Sequence, residues 1–424
     1  MRVLVVTAGS AGDVMPYTGL GVRLCEAGHE VVMATHAGFE DAVLARGLGF
    51  RPLPVDPRAE LASAGGQRLA RAGTGPVALA HLTWMARAFA QELGRGVLAA
   101  VEQGADVVLL SLSVARPGHL VAEALRVPSM GVYLQPWTPT GEFSPALFGG
   151  ARSLGRWGNR AAARALLPAT DFMYASSLRE LRTRLGLPRR ADCGSLRRET
   201  GGWPVQYAYS PTVLPRPADW RPEARVAGYL WPARPADWCP DPRLTDFLAA
   251  GPPPVFIGFG SLVADPERLS RIAVRALRAA GVRGVVQAGW SGLRVCGDDD
   301  VLTVGEVPHD WLFPRMSAVV HAAGAGTTAA GLRAGVPAVP VPAQLDQPFW
   351  AARLTALGVS PAPIPLRHLT ADRLATAIRQ AVENPLHRTR ARAVAERIAA
   401  EDGAGQVTEA VQRLAPAGAG GQRP

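Results

Sequence analysis

Continuous apolar runs alternate with amphipathic stretches along this chain, the pattern of parallel strands linked by helices. Arg2–Thr7 predicts a buried strand, Ala8–Asp13 a Gly-containing turn, the residues through Leu24 a helix, and Gly28–Ala34 a second strand. A loose Gly/Ala/Arg segment, Ala64–Gly75, reads as a mobile loop and Val77–Gln103 as a helix. Asp106–Leu112 and Val127–Tyr133 read as strands separated by a helix at His119–Leu125. Periodicity lapses between Ser210 and Pro240, where proline is dense, as in a linker. The pattern then restarts, with strands at Pro254–Phe259, Gly284–Ala288, Leu302–Val304, Ala318–Val320 and Pro337–Pro342 and a helix at Arg268–Ala280. Amphipathic helices are expected at Ala371–Gln380 and Thr389–Arg413. The expected architecture is α/β, with two Rossmann-like domains whose parallel sheets face each other across a cleft. The first covers 1–215, a Pro-rich linker 216–240, the second 241–414, and a disordered tail 415–424.

The densest chemistry lies in Ala318–Trp350, AVVHAAGAGTTAAGLRAGVPAVPVPAQLDQPFW. A strand ends at His321, and a Gly-rich turn leads into an Ala/Leu-rich helix. That layout lets the backbone N–H groups of a helix N-terminus hold a phosphate. Gly324 and Gly326 permit the turn and a close approach, Thr327 and Thr328 add hydroxyl donors, and His321 is placed to donate to a phosphoryl oxygen. A second strand end presents Gln344, Leu345, Asp346 and Gln347. Ligands of open α/β sheets bind at such carboxyl ends. A phosphate cradle beside an Asp–Gln pair implies a phosphorylated, hydroxyl-rich ligand. The opening βαβ unit has Gly9 and Gly12 but no G-x-G-x-x-G, and no acid ends its second strand, which disfavours a dehydrogenase.

Charge and cysteine content narrow the classes. The net charge is +10, yet all 45 basic residues are arginine, interspersed with acids, in an Ala-, Gly- and Pro-rich chain. This is compositional bias rather than a nucleic-acid surface, although a weak attraction to an anionic membrane or acceptor stays open. Cys25, Cys193, Cys239 and Cys296 form no Cys-x-x-Cys pair and argue against both a zinc site and a disulfide framework. With no signal peptide at Met1 and no apolar run near the ~20 residues of a spanning helix, a cytoplasmic protein without stable membrane insertion is expected. Oligomeric state, monomer or homodimer, stays open.

The stretch from His321 to Trp350 resembles the donor-binding segment of family 1 glycosyltransferases of the GT-B fold. The likeness is to the bacterial branch holding sterol glucosyltransferase-like and antibiotic-biosynthesis enzymes. Gln135-Pro136-Trp137-Thr138-Pro139 and the interdomain run Tyr209–Trp220 resemble the same branch. The resemblance implies a sugar passed from a UDP- or dTDP-sugar to a small hydrophobic acceptor, with no cofactor. It places the catalytic base at Asp13 in the Gly12–Asp13 pair, on a loop with Ser10 that faces the acceptor. It puts Gln135 and Trp137 at the acceptor wall, Ser261 on the β-phosphate, and the nucleobase near Trp290 and the backbone of the Glu306-Val307-Pro308 turn. Asp346 and Gln347 would hold the sugar hydroxyls, and the last helix would cross back to the first domain. Asp13 also suits a helix-capping carboxylate, Ser261 an N-cap, and Trp137 plain packing. His309 reads as structural or loop-exposed.

The implied reaction is direct displacement with inversion at the anomeric carbon. Asp13 acts as general base, while His321, Ser261, Thr327 and the turn amides stabilise the departing nucleoside diphosphate. A helix N-terminus that supplies this charge stabilisation removes the need for a metal, and Asp298-Asp299-Asp300 lacks a partner motif. The sequence departs from the family at Ala322, where a second His is common, at Ala323, where Gly is frequent, and at Ala11, which widens the acceptor loop. Two other readings stand beside this one, an NDP-sugar epimerase on the same fold and a non-catalytic nucleotide-sugar-binding partner.

Overall fold

The computed structural model describes residues 1–56, 76–146, 153–188, 201–260, 265–290, 292–295 and 299–414. The loop read at Ala64–Gly75, Ser261, Asp298 and the tail from 415 onward lie outside the described residues.

Two parallel sheets organise the chain. The first contains β1 (Arg2–Val6), β2 (Glu30–His36), β3 (Gly49–Leu53), β4 (Val107–Leu110), β5 (Ser129–Tyr133), β6 (Val205–Tyr207) and β7 (Ala224–Val226), in the order β3-β2-β1-β4-β5-β6-β7. The second contains β8 (Val255–Gly258), β9 (Gly284–Gln287), β10 (Val301–Val304), β11 (Ala318–His321) and β12 (Ala338–Pro340), in the order β10-β9-β8-β11-β12. Every pairing is parallel, and β1, β4, β8 and β11 are buried along most or all of their length, because helices cover both faces of each sheet. Strand order reverses between β1 and β4 in one sheet and between β8 and β11 in the other. Open α/β sheets bind ligands at such reversals, which makes the loops after β1 and β11 the candidate site.

The proline-dense segment read as a linker contributes β7 to the first sheet. A further difference is the Gly155–Arg184 helix, 30 residues long, which the apolar pattern did not announce. The single helix expected at Thr389–Arg413 is two, Pro385–Ala399 and Gly403–Leu414. The break lets Gly403 press onto the backbone of Gly228 and Tyr229, while the Ser210 hydroxyl donates to Glu401 at 2.7 Å. Val407, Ala410 and Val411 then join the core beneath the Ala11–Glu26 helix, so the Gly403–Leu414 helix is built into the first domain.

The two halves share one apolar seam. Trp350, 1% exposed, packs its ring 6.0 Å from Tyr209, and Phe349 lies 5.5 Å from Phe143. The Arg353 guanidinium donates to the Val213 carbonyl at 2.6 Å across the same boundary.

A Cβ added at Gly403 would lie 2.4 Å from the Tyr229 carbonyl oxygen, and backbone cannot retreat as a side-chain end can. Gly403→Ala is therefore expected to cost about 1–3 kcal/mol, read as a lowered midpoint in thermal or urea unfolding.

Candidate functional site

The loop after β1 is assembled around Asp13. Ser10 caps the Ala11–Glu26 helix, and Asp13, three residues on, accepts from the Ser10 backbone N–H and from its hydroxyl, both at 2.9 Å. Gln135, from the loop after β5, also hydrogen-bonds the Asp13 carboxylate. Gly9 has φ +147°, and a Cβ there would sit 2.5 Å from Oδ2 of Asp13, so only glycine lets the carboxylate fold back over the loop. Burial raises the Asp13 carboxyl above its ordinary range. The bonds from Ser10 and Gln135 hold that rise in check.

His36, at the end of β2, carries a role that the sequence reading missed. It is buried, its Nε2 accepts from the Gly9 N–H at 2.8 Å, and its Nδ1 donates to the Val55 carbonyl at 2.6 Å. The two bonds require the neutral ring, and desolvation lowers its pKa accordingly. His36 thereby clamps the Asp13 loop to the chain leaving β3. Its signal was available, as a polar residue terminating an apolar strand beside a Gly-rich turn.

The loop after β11 leaves polar donors open at a helix N-terminus. His321 is 1% exposed, and its Nδ1 accepts from the Ala323 N–H at 3.1 Å, which leaves the proton on Nε2. That Nε2 is buried with no hydrogen-bond partner, as is Oγ1 of Thr328. An orphaned buried donor is costly unless something arrives to accept from it. Desolvation, helped by the charge of His309, lowers the His321 pKa to about 3, so the ring donates as a neutral group. Ala323 is held at φ +62°, where a glycine would rest without strain. Gly324 is the N-cap of the Ala325–Arg333 helix and brings no side chain to block the amides of the first turn, where Gly326 and Thr327 sit.

These two loops meet. A Cβ on Gly326 would lie 3.7 Å from the Cα and the carbonyl oxygen of Gly12, so two helix N-termini abut across the cleft with their positive ends together. Asp346 comes from the same side as Gly326, and its Oδ2 accepts from Nε1 of Trp350 at 2.8 Å. Desolvation, with Asp13's negative charge as a smaller contribution, pushes Asp346 up to about 6. Gln347 uses its amide oxygen to accept from the N–H groups of Ala343 and Gln344, at 2.8 and 3.1 Å, leaving its –NH2 end for an external hydroxyl.

The remaining candidate residues stand at or near other strand ends. Trp137 is half-buried, 5.6 Å from the buried Arg116 guanidinium, which pairs with Asp171 at 2.8 Å. Trp290 follows β9 and Val307 follows β10; Gln287 ties these strand ends by donating to the Gly305 carbonyl at 3.4 Å. His309 stacks on Phe313 at 4.3 Å, a packing role.

Residues 3–144 match the glycosyltransferase family 28 N-terminal domain, and residues 291–415 match the erythromycin biosynthesis protein CIII-like C-terminal domain. The chain is 34% identical to a sterol 3-beta-glucosyltransferase of Arabidopsis thaliana, over 98% of this chain and 68% of that protein. It is 35% identical to the O-mycaminosyltylonolide 6-deoxyallosyltransferase of Streptomyces fradiae, over 95% of each chain. This chain belongs to that family of glycosyltransferases. Solved structures agree on the GT-B fold of this glycosyltransferase. The kitacinnamycin glycosyltransferase superposes with TM-score 0.71 at 18% identity, covering 98% of this chain and 99% of that one. VinC, solved in complex with dTDP, superposes with TM-score 0.65 at 21% identity, covering 98% and 99%.

Asp13→Asn is expected to lower kcat/KM about 10²–10⁴-fold while leaving nucleotide affinity within a few-fold. In the parent enzyme, kcat/KM should fall as pH drops through a carboxyl pKa above the ordinary range, and the Asn variant should lose that limb. Asp346 makes an opposite kind of prediction, for stability. Its folded pKa of about 6 lies above the unfolded value, so its charged form opposes folding. This destabilisation is absent below about pH 4, develops as pH rises to about 6, and stays complete above. Asp346→Asn, which keeps an acceptor for Trp350, should therefore be more stable than the parent at pH 8 by up to about 3 kcal/mol, read as a raised unfolding midpoint, and not at pH 4.

Proposed function

We propose that this glycosyltransferase moves a hexose or deoxyhexose from a UDP- or dTDP-sugar to a hydroxyl of a hydrophobic sterol-like, macrolide or polyketide acceptor, with inversion and without a metal. The observation that carries the reading is the pair of buried, unpartnered donors, Nε2 of His321 and Oγ1 of Thr328, at a helix N-terminus facing Asp13. A diphosphate is the ligand that satisfies both donors and the helix amides at once.

In the step proposed, the acceptor hydroxyl loses its proton to Asp13 while its oxygen bonds the anomeric carbon. The bond from that carbon to the diphosphate oxygen breaks on the opposite face. Charge growing on the diphosphate is met by Nε2–H of His321, the hydroxyls of Thr327 and Thr328, and the amides of the first helical turn. Ser261 would add a β-phosphate contact. Trp290 and the backbone at Val307 would hold the base, and Asp346 with the –NH2 of Gln347 the sugar hydroxyls. Ser10, Gln135 and Trp137 stand where the acceptor would lie, the first two already bonded to the base that would deprotonate it. The names of the two relatives, a sterol 3-beta-glucosyltransferase and an O-mycaminosyltylonolide 6-deoxyallosyltransferase, support this reading of donor and acceptor.

Thermal unfolding with a nucleotide panel tests the donor assignment. UDP or dTDP at 100 times its dissociation constant should add about 2.7 kcal/mol, with NAD adding none. His321→Ala should abolish most of that protection. Conversion of the NDP-sugar into its epimer, with no sugar passed to an added alcohol and no nucleoside diphosphate accumulating, would overturn transfer in favour of an epimerase.

A further inference from the structure

The Gly155–Arg184 helix packs one side into the first domain. Asp171 pairs with Arg116, the Tyr174 hydroxyl donates to the Ser113 carbonyl at 2.7 Å, and Glu180 pairs with Arg95 at 2.7 Å. Its opposite side is bare. Leu154, just before its first turn, and Trp157, Ala161, Ala165, Pro168 and Phe172 recur every three or four residues, and all six are exposed. Trp157 is 87% exposed, Leu154 62% and Phe172 57%. Isolated exposed apolar residues are ordinary, but a helical stripe anchored by an open indole marks a docking face.

The border of the stripe is cationic. Arg156, Arg160 and Arg164 follow one another at four-residue intervals along one flank. Arg156 and Arg164 are exposed, and Arg160 is half-buried against Asp219. At the far end the Arg87 guanidinium stands 4.1 Å over the Phe172 ring. No acidic residue occurs in the helix before Asp171, which is already paired. A Trp/Leu/Phe stripe edged by arginine is the composition of a helix that lies in a membrane interface, its rings at the acyl boundary and its cations on lipid phosphates. A two-fold copy of this chain would set one arginine-bordered stripe against another, so charge favours an anionic partner.

We propose that this face of the Gly155–Arg184 helix docks on an anionic lipid surface. The docking is peripheral, since no helix among the described residues is long and apolar enough to cross a membrane. It goes beyond the sugar-transfer reading and does not depend on it. The two still fit together, because the helix's inner side carries Asp171 and Tyr174 beside Trp137, so the docked surface backs onto the acceptor flank.

Flotation of the full chain with phosphatidylcholine vesicles, with and without phosphatidylglycerol, tests the proposal. The expected result is binding to the phosphatidylglycerol vesicles that weakens with salt. Trp157→Ser with Phe172→Ser should weaken it at least about tenfold, and Arg156→Gln with Arg164→Gln about fivefold per arginine removed. All four positions are exposed, so unfolding midpoints and nucleotide protection should match the parent. Loss of nucleotide protection in the parent would count against the donor site and leave this surface untouched. Absent binding to anionic vesicles, or binding indifferent to the Trp157 and Phe172 changes, would overturn the proposal. A dimer that Trp157→Ser disperses, without vesicle binding, would assign the face to a second copy instead.

Discussion

Trp350 holds the functional geometry together from both sides. Its ring completes the apolar seam against Tyr209 of the first domain, and its indole N–H holds the Asp346 carboxylate of the second. Burial of a large aromatic is worth several kcal/mol, and the same side chain that earns this by closing the seam fixes a polar group at the cleft. The seam also explains why Gly12 and Gly326 stand in contact, since the helices behind them are anchored to one shared core.

Everything chemical in the cleft follows from charge held in a partly dehydrated space. Two helix N-termini converge there, and two neutral donors, His321 and Thr328, wait without partners. Two carboxylates, Asp13 and Asp346, have pKa values pushed upward. An environment that disfavours negative charge on side chains while offering donors to an incoming anion fits the diphosphate and the general base of the proposed reaction. His36 extends this logic to position, since a neutral imidazole fixed at both nitrogens locks the Gly9 turn beneath Asp13. The apolar, arginine-edged face of the Gly155–Arg184 helix sits outside this economy and is explained by a lipid partner.

Local patterning alone made nine of the strands, the two-domain α/β order and the Gly-rich turn at His321–Thr328 legible, whereas β3, β6 and β7, short and interrupted by proline or polar residues, were not. Short continuous apolar runs bounded by Gly or Pro and alternating with amphipathic stretches read as parallel strands covered on both faces, and a Gly-rich turn between such a strand and a helix suits a close backbone approach. The family resemblance rested on the same residues and was met by relatives at 34% and 35% identity. The Gly155–Arg184 helix escaped notice because its outward face is apolar as well as its inward one, which blurs the 3.6-residue period on which such a reading depends.

Tertiary structure decided what lay between distant segments. That Gln135 reaches Asp13 and that His36 braces its loop are contacts between distant segments at strand ends, invisible to periodicity. The split at Glu401–Asp402 arose because Gly403 must meet the backbone of Gly228 and Tyr229. By itself the sequence determined which residue types stand at which strand ends, because side-chain alternation and turn chemistry are local. Only the folded chain decided which of those ends face one another and how far water is excluded between them, because desolvation and hydrogen-bond satisfaction belong to the assembled core.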